Sequence, residues 1–134
     1  MHDLVVWGAT GYTGRLVALA AAKELSGRSW AIAGRSRERL EAIRVEIIAT
    51  GGHPPEIVVA DLNDATSMRA MTGTARVVLT TVGPYDHFGE PLIEACIATG
   101  THVADITGEV PWVRRMRSKY EGAAREAGVR IVSM

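Results

Sequence analysis

A single cysteine, Cys96, is all the chain has, so no internal disulfide can staple it and a reducing, cytoplasmic setting is expected. An excess of charge is missing too. Fifteen Lys and Arg stand against fifteen Asp and Glu, which argues against nucleic acid or an anionic membrane surface as the main partner. Long hydrophobic runs are absent: the first stops at Gly8, too early for a secretory leader, and none reaches the length of an integral membrane segment. The four histidines, His2, His53, His87 and His102, are scattered without metal-ligand spacing, so no metal is expected. No lysine follows the first glycine turn in the way a triphosphate-binding loop requires. A Tyr-x-x-x-Lys proton-transfer pair is also lacking, because Leu16, Gly89 and Ala124 stand four residues after the three tyrosines. Asp86-His87 has no serine or cysteine nucleophile in a recognisable setting, so it reads as a solvated loop.

What is present is a regular alternation. With 47 % hydrophobic residues in 134, the chain can bury the core of one domain, spanning residues 1–134. The apolar runs at 4–7, 29–33, 56–60, 76–82, 102–106 and 129–132 read as strands. Between them lie helical patterns: the Ala/Leu-rich run 15–22, the stripe Leu40, Ile43, Ile47, a short helix ending at Met71, the segment 90–99, and the stripe Val113, Met116, Tyr120, Ala123, Ala127. Asn63 or Asp64 is placed to cap the short helix, and Pro91 sits at the first turn of the 90–99 helix. Cys96 falls on a helix core face and reads as packing. Continuously apolar strands separated by helices call for a parallel sheet covered on both faces. The class is therefore α/β, a doubly wound Rossmann arrangement with strand order 3-2-1-4-5-6.

In that arrangement the ligand lies across the carboxyl ends of the strands. The first exit is Gly8-Ala9-Thr10-Gly11-Tyr12-Thr13-Gly14. Gly8 lets the chain leave the strand with an unusual φ, Gly11 leaves room for a pyrophosphate, and Gly14 lets the helix pack close to the sheet. The free N–H groups of that helix then face the phosphates. After the second strand, where an acid would bind the ribose hydroxyls of NAD, stand Arg35 and Ser36. A guanidinium and a hydroxyl there suit a 2′-phosphate, which points to NADP (NADPH) in preference to NAD. The competing reading makes Arg35 part of a solvated helix start with Arg37 and Arg39. Asp61 and Leu62 should lie beside the adenine, with helix capping by Asp61 the alternative. Val82, Gly83, Pro84 and Tyr85 should pass the nicotinamide ribose, the last two as a stiff wall. Glu109, after the fifth strand, is the one candidate catalytic residue, able to orient a substrate or donate a proton; the alternative is an exposed loop glutamate.

Three blocks carry a resemblance. The glycine turn with Ala33-Gly34-Arg35-Ser36 is the first. Val82-Gly83-Pro84-Tyr85 with Gly89, Leu92, Ala95 and Cys96 is the second. Gly100-Thr101-His102, running into Asp105-Ile106-Thr107-Gly108-Glu109 and Trp112, is the third. Together they resemble saccharopine-dehydrogenase-like oxidoreductases, and within them the branch of trans-acting enoyl reductases. The resemblance implies hydride transfer from NADPH to an unsaturated or carbonyl substrate, such as a lipid or polyketide intermediate. It also implies a substrate domain beyond the sixth strand, which this chain lacks, so a truncated cofactor half is expected, partnered by that domain or self-associated through its docking surface. A non-enzymatic NADP-sensing module acting through a protein partner is the alternative.

Overall fold

The computed structural model describes residues 1–134. The elements run β1 (His2–Trp7), α1 (Tyr12–Glu24), β2 (Trp30–Gly34), α2 (Arg37–Ala49), β3 (Glu56–Val59), α3 (Ala65–Thr72), β4 (Ala75–Thr80), α4 (Tyr85–Phe88), α5 (Glu90–Thr99), β5 (His102–Asp105), α6 (Val110–Ala127) and β6 (Ile131–Val132). All six strands are parallel, in the order β3-β2-β1-β4-β5-β6. This is the Rossmann arrangement expected.

The alternation of side chains along each strand divides the core. On one face Val5, Trp7, Ala31, Val78 and Val103 pack with Met68 and Met71 of α3 and Leu92 and Cys96 of α5. On the other, Val6, Trp30 and Ile32 pack with Ala18 and Ala22 of α1 and Leu40, Ile43 and Ile47 of α2. Burying side chains such as Leu40 and Ile47 completely stabilises the fold by about 1.5–3 kcal/mol each. Cys96 is 0 % exposed, and burial pushes its thiol up to about 12, so it is packing and not a nucleophile.

Several boundaries differ from the sequence reading. Helix α1 begins at Tyr12, not Arg15, so the last glycine of the turn already lies in the helix. Strand β4 stops at Thr80, two residues early, because the Thr80 hydroxyl accepts from Val82 N–H at 3.2 Å and turns the chain. Strand β6 is only two residues long. The buried stripe of α6 is Trp112, Met116 and Ala124, while Ala123 and Ala127 are exposed. The indole of Trp112 sets that rotation by packing with Tyr85, Ile93 and Met116. Helix α4 was not foreseen at all. Asp64, whose carboxylate accepts from Thr66 and Ser67 N–H at 3.0 and 3.2 Å, caps α3; Asn63 does not.

Candidate functional site

The glycine turn is built by two opposing demands. Gly8 has φ +89°, and a Cβ there would lie 2.5 Å from a methyl of Val82. At Gly14 a Cβ would fall on the Gly8 carbonyl, 2.6 Å from its carbon and 2.9 Å from Ala9 Cα. Those two glycines are required by the fold itself. Gly11 is different. It is exposed, its backbone is extended (φ −76°, ψ 168°), and an added Cβ would meet nothing closer than 3.5 Å. The protein leaves that space open.

Just behind it, the first turn of α1 has no side-chain cap and no acidic residue. The N–H groups of Tyr12, Thr13 and Gly14 donate to no acceptor within the chain. By contrast, α2 is capped by the Ser36 hydroxyl, which accepts from Arg39 N–H, and α3 by Asp64. Three unclaimed donors at the positive end of a helix, facing an open glycine, suit an anion. Arg15 does not intrude, because its guanidinium is held by Glu46 of α2, with Nε donating at 2.9 Å.

The exits of β2 and β4 flank this turn. A Cβ on Gly34 would lie 3.7 Å from the Thr10 methyl, so Arg35 leaves the sheet close beside the turn. Arg35 is exposed and makes no ion pair, whereas Arg37 pairs with Glu41 at 4.0 Å. The oxygen of Ser36 is the α2 cap, which leaves its hydroxyl hydrogen to donate outward. On the other side Thr81 Oγ1 lies 3.5 Å from the carbonyls of Trp7 and Gly8. Gly83 and Pro84 are exposed beyond it.

Asp61, after β3, does not cap α3. Its Oδ1 accepts from Asn63 N–H at 2.9 Å and its N–H donates to Ser67 Oγ at 3.0 Å, which closes a turn and leaves the carboxylate exposed. Leu62 is half-buried and packs on the core.

Two side-chain placements overturn expectations. Tyr85 is no wall of the crevice. Its ring is 5 % exposed, sits 5.4 Å from the Trp112 ring, and its hydroxyl donates to the Thr80 carbonyl at 2.9 Å; burial raises its phenol pKa. Glu109 is neither a free loop residue nor a poised proton donor. Its two oxygens accept from Tyr85 and Asp86 N–H at 2.7 and 3.1 Å, capping α4 from across the crevice. It is a strut that ties the β5 exit to the β4 exit. Glu109→Ala should therefore lower stability by about 1–2 kcal/mol, as the loss of a helix cap does. Amide exchange should rise at Tyr85 and Asp86, and Glu109→Gln should retain part of the protection.

Sequence reasoning passed over Asp105. It is buried at the end of β5, accepting from Thr107 N–H at 3.1 Å and from the Ser133 hydroxyl at 2.8 Å. The signal was a carboxylate closing an apolar strand, which burial tolerates only when both oxygens are partnered. A separate cavity of about 540 Å³ lies under α6, lined by Trp112, Met116, Ala124 and Ile131 among others, and shares no residue with the glycine turn. No three His, Cys, Asp or Glu side chains converge to hold a metal ion, and no helix is long and apolar enough to cross a membrane.

The chain is similar to known proteins over nearly its whole length. The chain is 42 % identical over 130 residues to a trans-acting enoyl reductase of Mycobacterium leprae and 41 % identical to one of Mycobacterium tuberculosis. Each match covers 97 % of this chain but 31 % of the relative, so the chain spans about a third of their length. Among solved structures it is similar to an apo saccharopine dehydrogenase (L-Glu forming) of Saccharomyces cerevisiae, with TM-score 0.77 and 15 % identity over 99 % of this chain and 27 % of that one. A short chain dehydrogenase of Mycobacterium smegmatis gives TM-score 0.73 and 16 % identity over 98 % and 76 %. At those identities the structures speak to the fold alone. The family model described as saccharopine dehydrogenase NADP binding domain matches residues 4–132. With nearly every residue inside that match, the chain belongs to the saccharopine dehydrogenase NADP-binding domain family.

Proposed function

We propose that this chain is the cofactor domain of an NADPH-dependent reductase of the enoyl-reductase type. The observation that carries the reading is the row of unclaimed N–H groups at Tyr12, Thr13 and Gly14 behind an open Gly11. The pyrophosphate would lie on that helix end. Arg35, free of any carboxylate, and the Ser36 hydroxyl would hold the 2′-phosphate. Asp61 and Leu62 would border the adenine, and Val82, Gly83 and Pro84 would border the nicotinamide ribose, with Tyr85 contributing only from behind through its buried ring.

When bound, the nicotinamide supplies a hydride. The chain's own part is to bind and orient: α1 neutralises the phosphates, and the Glu109 strut fixes the spacing between the β4 and β5 exits. With Glu109 occupied as a cap, the proton that completes reduction of an unsaturated or carbonyl substrate is assigned to the additional polypeptide found in the longer relatives. A lipid or polyketide intermediate as substrate, and a cytoplasmic setting, belong to the same reading. The identity to relatives named trans-acting enoyl reductases favours a reductase over a non-enzymatic NADP sensor. Calorimetric titration with NADPH and NADH tests the cofactor assignment. Tight NADPH and weak NADH is the expected result; equal binding, or none, removes it.

A further inference from the structure

The register of the sheet exposes a gap in its covering. On the α3/α5 side one row of side chains crosses the sheet as Ala31, Val5, Val78, Val103 and Ile131. The first four are no more than 2 % exposed, and Ile131 is half-buried against the core. On the opposite side the corresponding row is Ile32, Val6, Leu79, Ala104 and Val132. Ile32 and Val6 are 0 % exposed under α1 and α2, Leu79 and Ala104 are only half-buried, and Val132 is 60 % exposed. The next row, Val77 and His102, is half-buried as well. Neither Val77, Leu79, Ala104 nor Val132 joins any of the three core clusters. Burial fails where the two-helix layer ends.

A parallel sheet is stable with both faces covered. Here three strands, β4, β5 and β6, carry a largely apolar face whose Val77, Leu79, Ala104 and Val132 are incompletely buried and packed into none of the core clusters. Their width at about 4.8 Å per strand is about 10–14 Å, the diameter of one α-helix with its side chains. The floor has room for one: small Ala104 lies in the middle strand between Leu79 and Val132. The end of this face near His102 and Arg130, whose backbone N–H donates to His102 Nδ1, is basic and polar.

We propose that this face is the seat of one amphipathic helix, apolar toward Leu79, Ala104 and Val132 and acidic toward Arg130, supplied by the polypeptide that in the curated relatives accompanies this segment. Those relatives are about three times as long as the part that matches, since the match covers 31 % of their length. A chain of that length has ample material to cover the gap. The inference rests on the family membership and the register, not on the cofactor assignment.

Cysteine reactivity reads the face directly. The native Cys96 is fully buried with its thiol pushed up to about 12, so it gives no background. Ala104→Cys in this chain should react with a maleimide at the rate of an open thiol. A cysteine at the aligned position of the full-length Mycobacterium leprae relative, read peptide by peptide by mass spectrometry, should react at least about tenfold more slowly. Val132→Cys, at an exposed site that leaves folding alone, should show the same contrast. Equal rates in the two proteins overturn the proposal. Slow labelling of this chain that grows slower with its own concentration also overturns it, in favour of a second copy as the occupant. No dinucleotide enters the measurement, so its failure and failure of the NADPH reading are separate results.

Discussion

Replacing Arg35 by Glu weakens NADPH binding by about 5- to 150-fold and leaves NADH within about threefold, the difference expected for a charge-assisted contact of about 1–3 kcal/mol. Arg35 sits immediately past β2, beside the turn that ends β1, and no carboxylate in the chain competes for it. Because it is exposed and unpaired, the substitution should leave the melting temperature unchanged, which separates a binding effect from a folding one. Arg37→Glu is the matched control. That side chain is 62 % exposed and lies 4.0 Å from Glu41, so its removal alters a surface pair worth little, with a small effect on either cofactor. The Arg35 effect should also shrink as salt rises, since an exposed guanidinium and a phosphate are screened beyond about 8–10 Å at ordinary ionic strength. Isothermal titration of both variants with both cofactors decides the matter. A variant that loses NADPH and NADH equally would place Arg35 outside the 2′-phosphate site.

The parts of this site that a reader of the sequence can foresee are those dictated locally. Gly8 answers to its positive φ and Gly14 to backbone a few residues away, and the strand order follows from the alternation of elements. Arg35 is placed by its distance from the turn. Side chains whose direction depends on remote contacts are another matter. Tyr85 looks like a crevice wall until Trp112 and the Thr80 carbonyl are seen to draw it inward. Glu109 looks like an available acid until two backbone N–H groups of α4 are found to claim it. The stripe of α6 is right at Val113, Met116 and Tyr120, which pack on the Trp112 cluster, but misses Trp112 and Ala124 and wrongly includes the exposed Ala123 and Ala127. Asp61 and Asp64 are chemically equivalent cap candidates, and only the start of α3 at Ala65 chooses between them. The uncovered face of β4, β5 and β6 needs register as well as order, since each apolar residue there is indistinguishable in sequence from its buried neighbour.

The two glycines at the α1 end should differ in stability, though both lose binding, when the same methyl group is added. In Gly14→Ala the Cβ collides with the Gly8 carbonyl and the Ala9 Cα. Both are backbone, so α1 must move off the sheet as a body. Overpacking of this kind costs about 1–3 kcal/mol and sometimes more, and with no side-chain rotamer available to relieve it the upper end applies. The melting temperature should fall by about 10 °C, and binding should fail because the N–H groups move with the helix. In Gly11→Ala the methyl enters open space, on a backbone conformation that alanine adopts freely. Alanine is the poorer cap by roughly 0.5–1 kcal/mol, but it also reduces the freedom of the unfolded chain by a similar roughly 0.4–1 kcal/mol. Stability should therefore barely change. Yet the methyl occupies the space a pyrophosphate needs against the backbone, so NADPH affinity should drop by more than about tenfold, or about 1.4 kcal/mol. Thermal melts and titrations on the pair distinguish a glycine kept for folding from one kept for a ligand. An intact Gly11→Ala protein that binds NADPH as well as the parent would remove the phosphate from this turn.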